Sequence, residues 1–246
     1  AIYIASIKNT VLVDLVLLCN SGSSYGGSVY AKQCNQVIVL KCIISKNTAT
    51  IGGGGITFYN CNEIHFSSTE MSDNMAEKYG AGVYFKGMEG SIYESRTTCK
   101  NQNNSSFDES SGAVISENNS CKITKYFNSE AKTYHNDSIS CLPIFSFKII
   151  LCSFANNSVL KDGAVIYVKN ITNLTISNSK ILKNKCNSNG DVLVIQKSKL
   201  VKIKQCLFRK NIGGAIYICD SEMLKVLNSN FTSNSADTGG AIYTLR

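Results

Sequence analysis

An internal repeat constrains this chain more than any other feature of its sequence. A step of glycine or alanine, a small residue and then isoleucine or valine returns at Gly27, Gly54, Ala81, Gly112, Gly163, Gly190, Gly214 and Gly240. A large apolar residue three places before asparagine keeps the same period of about 27 residues, at Leu17/Asn20, Ile44/Asn47, Met71/Asn74, Phe154/Asn157, Ile181/Asn184, Phe208/Asn211 and Phe231/Asn234. Two markers with one period predict a stack of similar units, because a unit this small cannot bury its own apolar face.

The spacing of apolar residues within each unit predicts strands rather than helices. Apolar residues stand five and seven places before the large marker residue, as Ile149 and Phe147 do before Phe154, and a spacing of two is the strand period. The position two places after each opening glycine is β-branched, which favours extended backbone. The sequence therefore predicts an all-β fold, a right-handed parallel β-helix (solenoid) of about nine coils of about 27 residues, with one irregular insertion region.

The corners between strands give the two markers a physical meaning. We expect the opening glycines to adopt positive φ, which glycine does without steric cost. We expect the asparagines to occupy a second corner, because asparagine tolerates the left-handed conformation and its amide can bond to the next coil. The predicted structural asparagine corners are Asn20, Asn47, Asn74, Asn157, Asn184, Asn211 and Asn234.

One column of the repeat suggests an outer binding face. The residue after the β-branched column is often tyrosine, and its neighbour on the same side is small, as at Ser28 and Gly55. We expect this side of the strand to face outward, with the isoleucine and valine column inside. A stripe of aromatic rings beside small residues is a plausible docking strip for another chain or a sugar, or simply a stack that supports the rod. The strip comprises Tyr30, Tyr84, Tyr217 and Tyr243.

The repeat also predicts how the chain is organised. Residues 1–246 form a single β-helix segment, and residues 87–143, where both markers weaken, form degenerate coils with a loop insertion. The chain opens on "AIYIASI", without methionine, and closes on the similar phrase "GGAIYTLR". We therefore expect a segment of a longer repeat protein that contacts a membrane only through regions outside it.

Two short motifs carry a resemblance to a known repeat family. "GGAIY" at 213–217 and 239–243 alternates with "FANN", "FRKN" and "FTSN", which begin at residues 154, 208 and 231. This alternation resembles the chlamydial polymorphic membrane protein repeat, which is marked by GGA[ILV] and FxxN tetrapeptides. The resemblance covers residues 1–86 and 144–246. It implies a secreted or surface-displayed β-helix that serves adhesion or assembly.

Cysteines and glycosylation motifs favour an extracellular or cell-surface location. Eleven cysteines are many for a reducing compartment. Cys34 and Cys61 stand one period apart, so they stack on adjacent coils as a possible disulfide, although parallel Cβ directions are not ideal for one. N-x-[ST] motifs, candidate N-glycosylation sites, occur at Asn103, Asn104, Asn118, Asn136, Asn156, Asn170, Asn173 and Asn230.

The net charge of +8 is concentrated in one part of the chain. Between Lys169 and Lys225 stand eleven lysines and arginines but only three acids, whereas the remainder holds fourteen of each. The predicted basic face comprises Lys183, Lys202, Lys204, Lys210 and Lys225. Such a face is either a solvated lysine-rich surface or a site for an anionic partner whose binding weakens in salt.

No constellation of residues predicts catalysis. The carboxylates do not share a column, and the two histidines, His65 and His135, give no acid–base or zinc-ligand spacing. We therefore expect no enzyme activity, no metal and no cofactor in this segment, and a structural or adhesive role with other protein chains or surface glycans as partners, not nucleic acid. A filament component is one form of that role. The alternatives are a polysaccharide-binding or polysaccharide-degrading β-helix and an intracellular scaffold.

Overall fold

The computed structural model describes residues 2–87, 113–118, 121–128, 133–135, 145–160, 163–186 and 190–245. Two compact units divide the chain: Ala1–Ile92 with Phe145–Arg246, and Tyr93–Ile144. The first unit is a parallel β-solenoid, and the described strands of the second form an antiparallel sheet.

Short strands separated by tight turns build every coil of the solenoid. The first three coils contain β1 (Ile2–Ala5), β2 (Asn9–Val13), β3 (Val16–Leu18), β4 (Ser21–Gly22), β5 (Val29–Lys32), β6 (Gln36–Leu40), β7 (Ile43–Ser45), β8 (Thr48–Ala49), β9 (Ile56–Tyr59), β10 (Glu63–Ser67), β11 (Glu70–Ser72) and β12 (Met75–Ala76). The fourth coil opens with β13 (Val83–Lys86). The second unit contributes β14 (Ala113–Asn118), β15 (Cys121–Asn128) and β16 (Thr133–His135).

The fourth coil resumes after the second unit, and three more complete coils follow. The strands are β17 (Ser146–Ile150), β18 (Ser153–Ala155), β19 (Ser158–Val159), β20 (Ile166–Ser177), β21 (Lys180–Leu182), β22 (Lys185–Cys186), β23 (Leu193–Lys204), β24 (Leu207–Arg209), β25 (Ile216–Cys219), β26 (Met223–Leu227), β27 (Asn230–Thr232) and β28 (Ile242–Leu245). The last of these opens an eighth coil.

Equivalent strands of successive coils pair in parallel to form four ladders along the solenoid. Ladder 1 runs from β1 through β5, β9, β13 and β25 to β28, and ladder 2 from β2 through β6, β10 and β17 to β26. The long strands β20 and β23 pass through both, which joins them into one 13-stranded sheet. Ladder 3 contains seven strands from β3 to β27, and ladder 4 contains five strands from β4 to β22.

The prediction of a parallel β-solenoid is confirmed, but the number of coils is about seven rather than about nine. β13 and β17 belong to the same coil, because β9 pairs with β13 while β10 pairs with β17. In the described residues, the stretch between Lys86 and Phe145 adds no strand to any ladder. Most of the predicted degenerate region 87–143 lies outside the described residues.

Inward side chains fill the solenoid with stacked apolar columns. Phe58, Phe66, Phe85 and Phe147 are fully buried in the middle coils, with ring centroids 5.7–6.1 Å apart. On ladder 3, Ile44, Met71, Phe154, Ile181 and Phe208 form another buried column. Burial of each such side chain contributes roughly 1.5–3 kcal/mol to the free energy of folding. Stacking therefore buries the apolar side chains that a single coil would expose to water.

The turns between ladders each contain one residue in the left-handed conformation. All 20 described non-glycine residues with positive φ lie in three turn columns, before ladders 2, 3 and 4. We expected the corner asparagines themselves to adopt positive φ. In the structure the positive φ belongs instead to the residue before each asparagine, as at Lys46, Asp73 and Asn156. The asparagine recurs at this corner because its side chain forms hydrogen bonds, not because of its backbone conformation.

The opening glycines also have a different role from the one expected. Positive φ occurs at Gly26, Gly53 and Gly80, one residue before the marker position. At Gly27 a Cβ atom would meet the carbonyl oxygen of Gly54 on the next coil. The marker glycine is therefore needed because two backbones approach closely, and its neighbour is needed for the left-handed turn.

Candidate interaction surfaces

The asparagine corners form one continuous ladder through the solenoid. The Oδ1 of each asparagine from Asn47 to Asn234 accepts two hydrogen bonds, from the backbone N–H and the Nδ2 of the asparagine on the preceding coil, at 2.8–3.2 Å. Each Nδ2 from Asn47 onward also donates to a main-chain carbonyl, as Asn157 does to Met71 at 3.0 Å. The five central asparagines are fully buried, so these bonds satisfy polar atoms that water cannot reach.

The tyrosines of ladder 1 belong to a larger stack than the sequence suggested. Tyr25 and Tyr79, from the loop before ladder 1, alternate with Tyr30, Tyr84 and Tyr167, with centroid distances of 5.1–6.1 Å. Tyr3 extends the stack at one end, 5.6 Å from Tyr30. The third coil places Thr57 and Gly52 where the two adjacent coils place tyrosines. Those smaller residues let Tyr25 stack on Tyr84.

Burial corrects the predicted docking strip in part. Tyr84 is only 7% exposed, so its ring is covered by its neighbours and is not available to a partner. Burial, with the nearby tyrosines, raises the pKa of the Tyr84 phenol far above its usual value. Tyr30 and Tyr217 are half-buried, and Tyr243, 5.6 Å from Tyr217, is exposed.

The small column beside the tyrosines faces the core, contrary to the prediction. Ser28 is fully buried and donates to the Gly55 carbonyl at 2.8 Å. A Cβ at Gly55 would touch Met71, and one at Gly82 would touch Phe154. This column is small because the coil bends there against the ladder 3 core, so it gives no flat outer surface.

The predicted β-branched column slips by one residue in the fifth and sixth coils. Ile166 and Leu193, not Val165 and Val192, pair with Val83 and Ile216. Because of this slip, the predicted outer column contained Ile166 where the structure has Tyr167. The Tyr167 hydroxyl donates to Gln196 Oε1 at 2.9 Å. The dipeptide of isoleucine or valine followed by tyrosine, present at 166–167 as at 29–30, is the sequence signal that gives the correct register.

The structure divides the predicted basic face into two clusters. Lys202 and Lys225 are directly paired on the outer face of ladder 2, and Lys204 lies on the same strand. Lys183 and Lys210 stack instead at the turn between ladders 3 and 4. Ladder 3 separates the clusters along the coil. In the described part of the chain, none of these five lysines forms an ion pair.

The predicted disulfide is not formed. Cys34 and Cys61 stack as expected, but both thiols are free. The two cysteines lie at the same position of stacked turns between ladders 1 and 2, which keeps their Cβ vectors side by side, whereas a disulfide needs them to converge. The thiols donate to backbone carbonyls instead, Cys34 to Lys32 at 3.4 Å and Cys61 to Ala31 at 3.6 Å. Burial, with the adjacent Cys34, raises the pKa of the Cys61 thiol to about 12, so it is unreactive at neutral pH.

The glycosylation motifs differ in accessibility. Asn156 and Asn230 are exposed, and Asn173 is half-buried. Asn170 is 4% exposed and its Nδ2 donates to the Gly87 carbonyl, so this motif cannot carry a glycan in the folded solenoid. The side chains at Asn103, Asn104, Asn118 and Asn136 lie outside the described residues.

One small cavity contains two carboxylates. Asp191 and Asp237 both line a space of about 140 Å³ beside Gly213 and Ser235. Burial raises the pKa of Asp191 to about 6. Within the described ranges, no group of three or more histidine, cysteine, aspartate or glutamate side chains is placed to hold a metal ion. The same ranges contain no helix long and apolar enough to cross a membrane.

Comparison with known proteins identifies one repeat. The family model of the Chlamydia polymorphic membrane protein repeat matches residues 228–245, which contain β27, the corner Asn234 and all of β28. Together with the parallel solenoid, this match confirms the resemblance to that repeat type. Neither the curated proteins nor the solved structures contain a significant match to the chain.

Proposed function

We propose that this chain is a structural and adhesive segment of a large repeat protein displayed at the cell surface. One observation carries the proposal: seven coils stack in register with a continuous asparagine ladder along one corner, and residues 228–245, at the end of the stack, match a repeat of the polymorphic membrane protein type. In this proposal the solenoid is a rigid spacer whose lateral faces bind other protein chains or glycans. Incorporation into a filament is its more specific form.

Surface display can be tested on the intact source cells. An antibody against the folded solenoid should label unpermeabilised cells, and external protease should remove the label. Permeabilisation should not be needed. A signal that appears only after permeabilisation would contradict the proposal. Negative-stain microscopy of the native protein would test the filament form, which requires end-to-end or lateral association.

Absence of catalysis is part of the same proposal. Asp191 and Asp237 form the pair of carboxylates that could support hydrolysis of a polysaccharide, since they line one cavity. We expect no cleavage of acidic or neutral polysaccharides by the purified chain. Cleavage that is lost in Asp191→Asn or Asp237→Asn, but retained in Glu63→Gln on ladder 2, would favour the enzyme alternative.

Free thiols favour an intracellular scaffold as the second candidate. The eight cysteines whose side chains the structure describes are all unpaired. Six of them are buried, and a buried thiol with a raised pKa persists in either compartment. Mass spectrometry of the native protein separates the candidates: glycans at Asn156 or Asn230 indicate secretion, whereas bare motifs and eleven free thiols indicate the intracellular scaffold.

A further inference from the structure

A shallow groove runs along the second turn of the fifth, sixth and seventh coils. It is lined by the exposed side chains of Asn178, Gln205 and Asn228, which occupy the same turn position on successive coils, and by the buried Ser179 and Cys206. Lys180 and Leu207 of ladder 3 form one wall, and the groove encloses about 330 Å³. Adjacent coils are about 4.8 Å apart, so three coils cover about 10 Å along the axis, roughly the length of two sugar units.

The row of amides begins only where the groove begins. In the first four coils this turn position holds Asp14, Lys41, Ser68 and Leu151. The left-handed conformation favours asparagine at 178 and 228, but it gives no reason for glutamine at 205. The three side chains are exposed. Within the residues that the structure describes, their amides form no hydrogen bond to the protein. Their donors and acceptors are therefore free to bind a ligand.

Each rim of the groove carries one exposed lysine. Lys204 immediately precedes Gln205 and is exposed, and Lys180 lies on the opposite wall. Lys202 and Lys225 continue the positive charge across ladder 2. The described acids of these coils lie elsewhere. Asp191 is in the loop before ladder 1, and Asp220 and Glu222 are at the turn before ladder 2.

We propose that this groove binds an acidic polysaccharide whose chain lies along the solenoid axis. Lys180 and Lys204 pair with its carboxylate or sulfate groups, and the three amides bond to its hydroxyls. Among the residues that line the groove there is no aromatic side chain on which a nucleic-acid base could stack. Leu207 lines the groove and the exposed Leu227 lies at its rim, and two aliphatic side chains are too few for a protein anchor. The inference rests on the proposed function, because it names a partner for one lateral face of the surface segment.

The test measures binding of purified chain to a heparin oligosaccharide, with single-stranded DNA and neutral dextran as comparison probes. We expect the heparin oligosaccharide to bind and dextran not to bind. The variant Lys180→Gln/Lys204→Gln should weaken binding on the order of tenfold or more and reduce its salt dependence. The variant Asn178→Gly/Asn228→Gly, which keeps the left-handed turns, should weaken binding without changing the salt dependence.

Two matched controls isolate the groove from general surface charge. Lys183→Gln/Lys210→Gln removes two lysines from the same coils on the other side of ladder 3, and Lys41→Gln removes one from the same turn position in the second coil. Both should leave affinity within about twofold at fixed salt. Equal loss in the controls, equal affinity for DNA, or no binding of the heparin oligosaccharide would overturn the proposal. Surface labelling of intact cells tests the proposed function independently of the groove. A protein that is displayed at the surface but does not bind the heparin oligosaccharide would contradict only the groove proposal.

Discussion

Single residues in this solenoid are selected by what the neighbouring coil requires of them. The asparagine at each corner could be exchanged for any small polar residue if only the turn mattered, because the left-handed conformation belongs to the preceding residue. Its side chain, however, satisfies two donors of one coil and a carbonyl of that coil, and bonds to the next coil as well. Asparagine carries a donor and an acceptor in the geometry that all of these bonds need.

Removal of one rung from the asparagine ladder should be costly. In Asn157→Ala, the backbone N–H of Asn74 and the carbonyl of Met71 lose the partner given by Asn157, and the Nδ2 of Asn74 loses one of its two partners, all in a fully buried site. We expect a loss of about 2–4 kcal/mol in the free energy of unfolding, measured by urea denaturation. The control is Asn156→Gly, at the adjacent exposed turn, for which we expect a change below about 1 kcal/mol. Similar losses in both variants would contradict the role of the ladder.

Asp191 should make stability depend on pH in the sense opposite to a salt-bridged carboxylate. Burial raises its pKa from 3.8 to about 6, so the fold favours the protonated form. Its stabilising contribution is complete below pH 4 and is lost as pH rises through 6. We expect Asp191→Asn to stabilise the protein at pH 7.5 by on the order of 1 kcal/mol, discounted because the carboxylate is only half-buried. It should have little effect at pH 4.

Urea denaturation at the two pH values checks the Asp191 prediction. Asp237→Asn, at the exposed carboxylate of the same cavity, is the matched control and should change stability by less than about 0.5 kcal/mol at pH 7.5. A destabilised Asp191→Asn at pH 7.5 would show that the carboxylate has a partner that favours its charge.

At the scale of strands and columns, the repeat predicted positions correctly where the same side chain recurs on every coil. It failed where one residue was inserted before a strand, and where the inner and outer faces of a strand could not be told apart. The asparagine spacing coincides with the rungs of the hydrogen-bonded ladder from Asn20 to Asn234, because each rung needs an amide side chain. The glycine marker misplaced Val165 and Val192, because Gly163 and Gly190 precede their strands by one residue more than Gly27 does. Since the strand period is two, that slip exchanges inner and outer positions, and Tyr167 was lost from the stripe.

The tyrosine stack should stabilise the solenoid through its rings. Tyr84 touches Tyr25, Tyr79 and Tyr167 and is nearly fully buried. We expect Tyr84→Ala to lower the free energy of unfolding by about 3 kcal/mol or more, because it leaves a cavity between three rings. Tyr243→Ala, in the same column but exposed, should cost less than about 1 kcal/mol. Urea denaturation of both variants measures the difference in the free energy of unfolding. Equal effects would show that the buried stack does not stabilise the solenoid.

The first unit is a one-dimensional stack of coils, and the number of coils was its least predictable property. The period predicted the architecture, because each coil needs a neighbour on its apolar face. It overestimated the number of coils, because residues between the fourth coil's first two strands were read as coils of their own. The hydrogen bond from Asn74 to Asn157 spans 83 residues instead of 27, an excess of 56, yet its distance is the same 3.0 Å as on neighbouring coils. The ladder closes across that stretch without any change in geometry.

The fourth coil should therefore close without the inserted residues. Other coils join ladder 1 to ladder 2 by three residues, as at 33–35 and 60–62, and Gly87 and Phe145 already occupy the first and last of these positions in the fourth coil. Replacement of residues 88–144 by one serine restores a three-residue turn and the 27-residue step. We expect retained β-strand circular dichroism and a cooperative thermal transition at equal or higher temperature, because a shorter loop costs less entropy to close. The control variant joins Lys86 directly to Ser146, which leaves no turn and should prevent the coil from closing. Loss of cooperative unfolding in the serine variant would show that the solenoid depends on the inserted residues.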